Sequence, residues 1–191
     1  MRRTAHLLLG ITLLGACSDP APTTITATSA VEARAASQAG GAAASGAATE
    51  NKDLATLHAA TARFHRFEVA QDAKYTFLFM NMCMVDQSAD KAGGMGYHYV
   101  NTQLLDSTVN VATPEALLYE PEANGQLRLV AVEYVIPKSE WHHDYAPRLF
   151  GQDLVLNSFD LWALHVWVWE NNPSGLYADW NPRVSCANAA Q

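Results

Sequence analysis

The sequence predicts an α+β domain in which one N-terminal helix packs on a mainly antiparallel sheet or small half-barrel. The helix is indicated by an apolar stripe at steps of three and four after residue 52, with Leu54, Leu57 and Phe64 among its members. The sheet is indicated by several short apolar segments after Lys74, separated by turn residues instead of helices. A helix followed by consecutive strands is typical of an α+β fold and not of a βαβ fold.

The composition restricts the class of protein. The chain has 191 residues, of which 49% are hydrophobic and 16% charged, and its formal net charge is -7. This length suits one domain with appendages, and the apolar content excludes disorder along the whole chain. The acidic balance argues against a nucleic-acid partner, because binding to phosphates requires clustered Lys and Arg.

Residues 1–16 are typical of an export signal. A basic start is followed by the apolar run 7–14, which is too short to span a bilayer stably. The sequence Leu-Gly-Ala-Cys at 14–17 resembles the lipobox of bacterial lipoproteins, with a plain signal peptide as the alternative. The resemblance implies cleavage before Cys17 and its acylation, palmitate included, so that the lipid membrane is a partner. With Ser18 next, it implies a lipid-anchored protein of the bacterial cell envelope, on the periplasmic face of the outer membrane.

Residues 17–51 are predicted to comprise the lipidated Cys17 and a flexible tether. This stretch is rich in Ala, Thr, Ser and Gly and nearly lacks large apolar residues. The alternative is an Ala-rich helix, which the scattered Gly, Ser and Thr disfavour. Residues 52–191 are then a single globular domain, whose helix is predicted to run from Asp53 to about Asp72.

The cysteine count agrees with export. With Cys17 assigned to the lipid, Cys83 and Cys186 remain as an even pair in an oxidising compartment, so we predict a disulfide between them. The alternative is a pair of free thiols or thiolate metal ligands. A disulfide would tie the turn-rich C-terminal tail to the start of the sheet.

Five segments are predicted to be strands: residues 75–79, 97–100, 116–120, 127–136 and 162–169. The second follows a glycine-rich run at 93–96. The third and fourth are predicted to form a hairpin, because Asn124 and Gly125 between them tolerate positive φ.

Residues that can bind a metal ion occur on these strands. Since side chains alternate between the two faces of a strand, Glu133 is predicted to share an apolar face with Leu127, Leu129, Ala131 and Val135. A carboxylate buried there costs several kcal/mol unless it is paired, protonated or bound to a metal. In the last strand, His165 is predicted to share its face with Ala163, Trp167 and Trp169. His98 lies just after the glycine run, and Glu120 ends the strand that pairs with the Glu133 strand.

His98, Glu120, Glu133 and His165 together offer the donor set of a mononuclear site for Zn, Fe(II), Mn or Ni. The sequence therefore favours an envelope lipoprotein that binds a small ligand or a divalent metal through this His/Glu cluster, and it leaves open whether the protein is an enzyme. The alternative is a structural or protein-interaction lipoprotein, in which the same residues form a buried hydrogen-bond network. No H-x-H, H-E-x-x-H, G-x-S-x-G or phosphate-binding loop is present, so no reaction is assigned.

Each of these four residues lies in a longer motif: GMGYHYVN at 94–101, LLYEP at 117–121, VEY at 132–134 and LHVWVW at 164–169. A fifth motif, WNPRVSC, follows at 180–186. In these motifs the chain resembles a family of uncharacterised exported bacterial proteins. The resemblance extends from Gly94 to Cys186, about half of the chain. It implies export, and it implies no particular activity or cofactor.

Overall fold

The structure, a computed structural model, describes residues 45–189, and these lie within one compact unit. The predicted signal peptide, the predicted lipidation site at Cys17 and the predicted tether as far as residue 44 lie outside the described residues. Within residues 45–189, no helix combines the length and the apolar character that crossing a membrane requires.

The N-terminal helical region consists of two helices instead of the single predicted one. Helix α1 covers residues 45–61, and helix α2 is Phe67–Asp72. Between them lie a 3-10 turn, Ala62–His65, and Arg66, whose extended backbone (φ -92°, ψ 109°) interrupts the helix. The prediction of one continuous helix as far as Asp72 is therefore wrong.

Hydrogen bonds around this break explain it. The hydroxyl of Thr61 donates to the carbonyl oxygen of Leu57 at 2.8 Å, a contact that bends helices. The hydroxyl of Tyr119, from the sheet, donates to the carbonyl oxygen of Phe64 at 2.7 Å. The sheet thus provides a partner for a carbonyl near the break, which a continuous helix would have bonded internally.

Helix α1 begins before the predicted domain boundary, because residues 45–51, assigned to the tether from sequence, are helical. Alanine has the highest helix propensity of all residue types, so Ala47 and Ala48 favour this extension of the helix. Glu50 also accepts a hydrogen bond from the hydroxyl of Tyr177 at 2.5 Å, which ties this turn of the helix to the C-terminal tail.

Within residues 45–189, nine strands form two antiparallel sheets. They are β1 (Phe77–Leu78), β2 (Met84–Val85), β3 (Gly94–Val100), β4 (Ala116–Pro121), β5 (Leu127–Pro137), β6 (Arg148–Leu149), β7 (Gln152–Asp153), β8 (Val155–Leu156) and β9 (Leu161–Val166). The main sheet has the order β1-β3-β4-β5-β9-β8, with β2 paired to β3, and β6 and β7 form a small separate sheet. The prediction of an α+β fold with a mainly antiparallel sheet is confirmed, and the sheet is open.

The helices cover one face of the main sheet. Leu57 and Phe64 pack there in a core with Leu117, Tyr134 and Val166. The opposite face carries a second, smaller core that includes Met95, Ala116, Leu118 and Trp167. Residues of the two cores alternate along β4, where Leu117 lies on the helical side and Ala116 and Leu118 lie on the opposite side, as the two-residue period of a strand requires.

The hairpin of β4 and β5 forms as predicted, with Gly125 at φ 79° in its turn. Its register contains a bulge: Leu118 pairs with Ala131, but Tyr119 pairs with Leu129, so Val130 is an extra residue. A bulge reverses the alternation of side chains. The prediction that Leu127 and Leu129 share the face of Glu133 is therefore wrong, and Leu129 packs in the core on the helical side.

The C-terminal tail returns to the sheet and is fixed there covalently. Cys83 and Cys186 form a disulfide, which confirms the predicted pairing. Gly93 has a φ of 117°, and a Cβ at this position would collide with the carbonyl of Asn181. The absence of a side chain at Gly93 thus lets the tail approach the start of β3 closely.

Candidate metal centre

Three of the four predicted ligand residues converge on the face opposite the helices. His98 lies on β3, Glu133 on β5 and His165 on β9. Glu133 and His165 are directly paired across two adjacent strands, and His98 is paired with Leu118 on β4. We call these three residues the His98–Glu133–His165 cluster.

His98 must reach across an intervening strand, because β4 separates β3 from β5. Neighbouring strands lie about 4.8 Å apart, so the two backbones are separated by roughly 10 Å. The β4 residue paired with Glu133 is Ala116, which is fully buried and has the smallest side chain that a strand residue other than glycine can carry. Its size leaves space for the ring of His98 to approach the carboxylate of Glu133.

Each imidazole approaches a different oxygen of the same carboxylate. His98 Nε2 lies 3.7 Å from Oε2 of Glu133, and His165 Nε2 lies 3.6 Å from Oε1. One ligand atom from each of the three residues lies within 4.8 Å of the other two. Hydrogen bonds from N–H to O measure about 2.7–3.2 Å, so neither histidine is hydrogen-bonded to Glu133.

The three side chains are shielded from solvent: His98 is 3% exposed, His165 5% and Glu133 8%. Neither nitrogen of His165, nor Nδ1 of His98, has a hydrogen-bond partner among the described residues. Such atoms are rare in folded proteins, since a buried polar group without a partner is costly.

Burial controls the protonation of the cluster. It lowers the pKa of His98 to about 3, with a further contribution from the nearby His165, so this imidazole is neutral at pH 7. Burial also raises the pKa of Glu133, although His165 partly offsets this effect. For His165, burial lowers the pKa, but the carboxylates of Glu133 and Asp179 outweigh it and the net shift is upward.

Asp179 is a further member of the site, and the sequence analysis did not identify it. Its Oδ1 lies 3.5 Å from Nδ1 of His165, on the side of the ring away from Glu133. The contact with His165 lowers the pKa of Asp179, so the aspartate is ionised at pH 7. At 3.5 Å this contact is longer than an ordinary hydrogen bond, but a carboxylate at this place favours a proton on Nδ1 and leaves Nε2 free to face Glu133.

The tail that carries Asp179 is held by several bonds. Nε1 of Trp167 donates to the carbonyl oxygen of Ala178 at 2.6 Å, and the side-chain amide of Asn172 donates to that of Trp180 at 3.0 Å. The disulfide at Cys186 lies a few residues further along the chain. The predicted disulfide and the WNPRVSC motif at 180–186 were the sequence features that pointed to this part of the tail.

Glu120, the fourth predicted ligand, is not part of the cluster. Its carboxylate is paired with Arg128, the residue opposite it in the hairpin, and it accepts a hydrogen bond from the backbone N–H of Ser185 at 2.8 Å. Arg128 also bonds Glu170 at 2.6 Å. Glu120 therefore belongs to an ion-pair network that connects the hairpin with the tail.

The two tryptophans that follow His165 separate. Trp167 is buried in the core on the side of the cluster, and its ring lies 6.4 Å from that of His165. The strand ends at Val166, and Trp169 lies elsewhere, stacked on His58 at 3.9 Å. The prediction that Trp169 shares the face of His165 is therefore wrong, because the alternation stops where the strand stops.

The cluster lies in the wall of a pocket of about 350 Å³. The other lining residues are mostly apolar and come from the edge of the sheet, the 155–161 segment and the tail; they include Phe77, Phe79, Met84, Phe159, Leu161 and Trp180. We call this space the apolar pocket. It places the three ligand residues where a small molecule can contact them.

Comparisons of the chain with protein-family models, with curated proteins and with solved structures gave no match. A functional conclusion for this chain therefore rests on the geometry and chemistry of the site.

Proposed function

We propose that the protein is an envelope lipoprotein that binds one divalent transition-metal ion through Nε2 of His98, Nε2 of His165 and the carboxylate of Glu133. One observation carries this proposal: two buried imidazoles approach the two oxygens of one buried carboxylate without hydrogen-bonding to it. A metal ion at their centre would satisfy all three side chains.

The two distances between a histidine and Glu133 are close to those between ligands of one metal ion. Imidazole and carboxylate ligands of Zn²⁺ lie about 2.0–2.2 Å from the ion, which places two ligand atoms roughly 3.0–3.5 Å apart. The separations of 3.6 and 3.7 Å exceed this range only slightly. Small rotations of the three side chains would bring the atoms of these pairs to ligand distances.

The donor set favours a transition metal over Ca²⁺ or Mg²⁺. Neutral imidazoles suit Zn, Fe, Ni and Cu, whereas Ca²⁺ and Mg²⁺ prefer oxygen ligands. Burial keeps His98 unprotonated, as a ligand must be. Asp179 would orient His165, in the way that carboxylates commonly support a metal-binding histidine.

The number of ligands bears on what the ion would do. Three protein ligands that face a pocket leave coordination positions for water or a small molecule, which is typical of catalytic zinc sites and of non-haem iron sites. A bound ion would supply Lewis acidity or activate a bound water there. His98, Glu133 and His165 would hold the ion, and the apolar pocket would limit access of bulk water to it.

The alternative, a buried hydrogen-bond network that fixes the sheet, is less well supported. Its hydrogen bonds would require the histidines to lie within about 3.2 Å of Glu133. The observed separations are longer, and His165 has no hydrogen-bond partner among the described residues. The envelope location and the anchor at Cys17 are proposed from the lipobox alone.

The test is equilibrium metal binding to the purified full chain, with Zn²⁺, Mn²⁺, Fe²⁺, Co²⁺, Ni²⁺ and Cu²⁺ offered in turn. We expect one ion per chain for the wild type and for His142→Ala, which removes an exposed histidine outside the cluster. We expect the stoichiometric site to disappear in His165→Ala and in Glu133→Gln, the latter of which conserves side-chain volume. If the folded wild type binds none of these ions, or if folded Glu133→Gln binds like the wild type, the proposal is wrong.

A further inference from the structure

We infer that the apolar pocket binds a small, largely apolar molecule that has one oxygen-donor group for the metal and no other charged group. This inference rests on the proposed metal site and adds the class of ligand. It follows from the chemistry of the pocket walls, the position of the His98–Glu133–His165 cluster and the exposed residues at the pocket edge.

The walls of the pocket offer almost no partner for a charged ligand group. None of the lining residues is Lys or Arg, and the only carboxylates are those of Glu133 and Asp179. An anionic group elsewhere on the ligand would lose its hydration without gaining a counter-ion, which is strongly unfavourable. A cationic group would find no free carboxylate, because Glu133 would bind the metal and Asp179 already faces Nδ1 of His165. The ligand body is therefore uncharged.

Few other polar side chains line the pocket. Asn157 lines the pocket, but its Oδ1 accepts hydrogen bonds from the backbone N–H groups of Phe159 and Leu161, at 3.0 and 3.2 Å. Ser158 is the other uncharged polar residue among those that line the pocket, apart from the histidines of the cluster. A ligand with many hydroxyl groups, such as a sugar, would leave most of them unpaired.

Large apolar side chains are exposed where the pocket meets solvent. Val155 is 65% exposed, Phe77 52% and Phe159 46%, and all three line the pocket. Exposed apolar side chains that lie together are typical of binding sites, whereas single exposed apolar side chains are common on any protein surface. An apolar ligand would cover these side chains, and the hydrophobic effect would contribute to its affinity.

The polar end of the ligand is determined by the metal. With Glu133 as its one anionic ligand, a divalent ion remains positively charged within its coordination sphere and attracts an oxygen donor there. The pocket volume of about 350 Å³ lies at the lower end of the range of roughly 300–1,000 Å³ for ligand sites. It therefore accommodates a ring or a short branched chain next to the donor group.

The test uses Co²⁺ bound to the full chain, because its visible absorption changes when a new ligand enters its coordination sphere. Two probes have the same hydroxamate donor group, and they differ only in the phenyl group of benzohydroxamate and the methyl group of acetohydroxamate. We expect benzohydroxamate to change the spectrum at concentrations roughly tenfold or more lower, since its ring would be buried. Phe159→Ala should reduce this preference, whereas Tyr145→Ala, which removes an exposed aromatic ring outside the pocket, should retain it.

The outcomes separate the inference from the metal proposal. If Co²⁺ binds but the two hydroxamates act at equal concentrations, or neither changes the spectrum, the ligand inference is overturned and the metal site stands. Removal of Co²⁺ from the protein by benzohydroxamate, without a ternary complex, also overturns it. If Co²⁺ does not bind to the folded protein, the metal proposal fails and the inference fails with it.

Discussion

Glu133→Leu distinguishes a metal centre from a structural hydrogen-bond network, because the two make opposite predictions for the protein without metal. Glu133 is buried between two imidazoles, and its neighbours two residues away on β5 are Ala131 and Val135. A leucine fits this apolar surrounding and removes the charge. We expect the metal-free variant to be about as stable as the wild type, and metal-dependent stabilisation to be lost.

The magnitude follows from the contacts that are removed. The separations of 3.6 and 3.7 Å mean that no hydrogen bond between Glu133 and a histidine is lost. Loss of Glu133 lowers the pKa of His165 and favours the neutral imidazole, because the Glu133 carboxylate is the strongest of the contacts that raise this pKa against the effect of burial. Removal of one member of a buried ion pair costs about 3–5 kcal/mol when the other member stays charged, and this cost does not arise where the remaining imidazoles are neutral. We therefore expect the free energy of unfolding to fall by no more than about 1 kcal/mol, or to rise.

The assay is urea unfolding at pH 7.5, followed by tryptophan fluorescence and circular dichroism, with chelator and then with Zn²⁺. A matched control is Glu140→Leu, which makes the same substitution at an exposed position outside the pocket. Zn²⁺ should raise the unfolding midpoint of the wild type and of Glu140→Leu but not that of Glu133→Leu. A loss of about 3–5 kcal/mol in chelator, the cost of breaking a true buried pair, would refute the reasoning.

Four further predictions concern His98, Asp179, the disulfide and the anchor. Because the pKa of His98 is about 3 in the folded protein and about 6.5 in an unfolded chain, the stability that its neutral form contributes is lost as the pH falls below 6.5. In urea titrations with chelator, the free energy of unfolding of the wild type should therefore fall between pH 6 and 4 by about 1.4 kcal/mol per pH unit more than that of His98→Gln. An equal dependence of the unfolding free energy on pH in the two proteins would contradict this. Asp179→Asn should weaken metal binding about 10–100-fold in metal titrations, with unfolding in chelator nearly unchanged; wild-type affinity would exclude a positioning role. Cys83→Ser with Cys186→Ser should lower the unfolding free energy by about 4–5 kcal/mol, because the disulfide spans 103 residues, whereas a loss below 1 kcal/mol would contradict the chain-entropy account. Cys17→Ser should move the protein from the membrane pellet to the supernatant on cell fractionation, and unchanged sedimentation would contradict the lipid anchor.

The main features of the sheet could be predicted from sequence because they depend on local patterns. The β4–β5 hairpin follows from Asn124 and Gly125 between two apolar segments, and the disulfide follows from counting cysteines. Glu133 and His165 could be selected as ligand-type residues because each lies on a strand next to apolar side chains. Their direct pairing depends on strand order, which a local pattern does not contain.

Other features depend on contacts between distant parts of the chain. The helix ends near residue 61 partly because Tyr119, from the sheet, bonds the carbonyl of Phe64, and no pattern within the helix predicts this. The bulge at Val130 changes which residues share a face, and the apolar run around it carries no signal of it. Asp179 lies in an irregular tail and reaches His165 only through the fold of that tail.

The most direct test of the central claim is elemental analysis of the full chain, purified from its natural compartment without an affinity tag or chelator. The metal-site account predicts close to one transition-metal ion per chain in the wild type, and little metal in folded Glu133→Gln prepared in the same way. A folded wild type without metal, which also binds none when each candidate ion is supplied, would contradict the account. The His98–Glu133–His165 cluster would then have to be explained as a structural feature of the sheet.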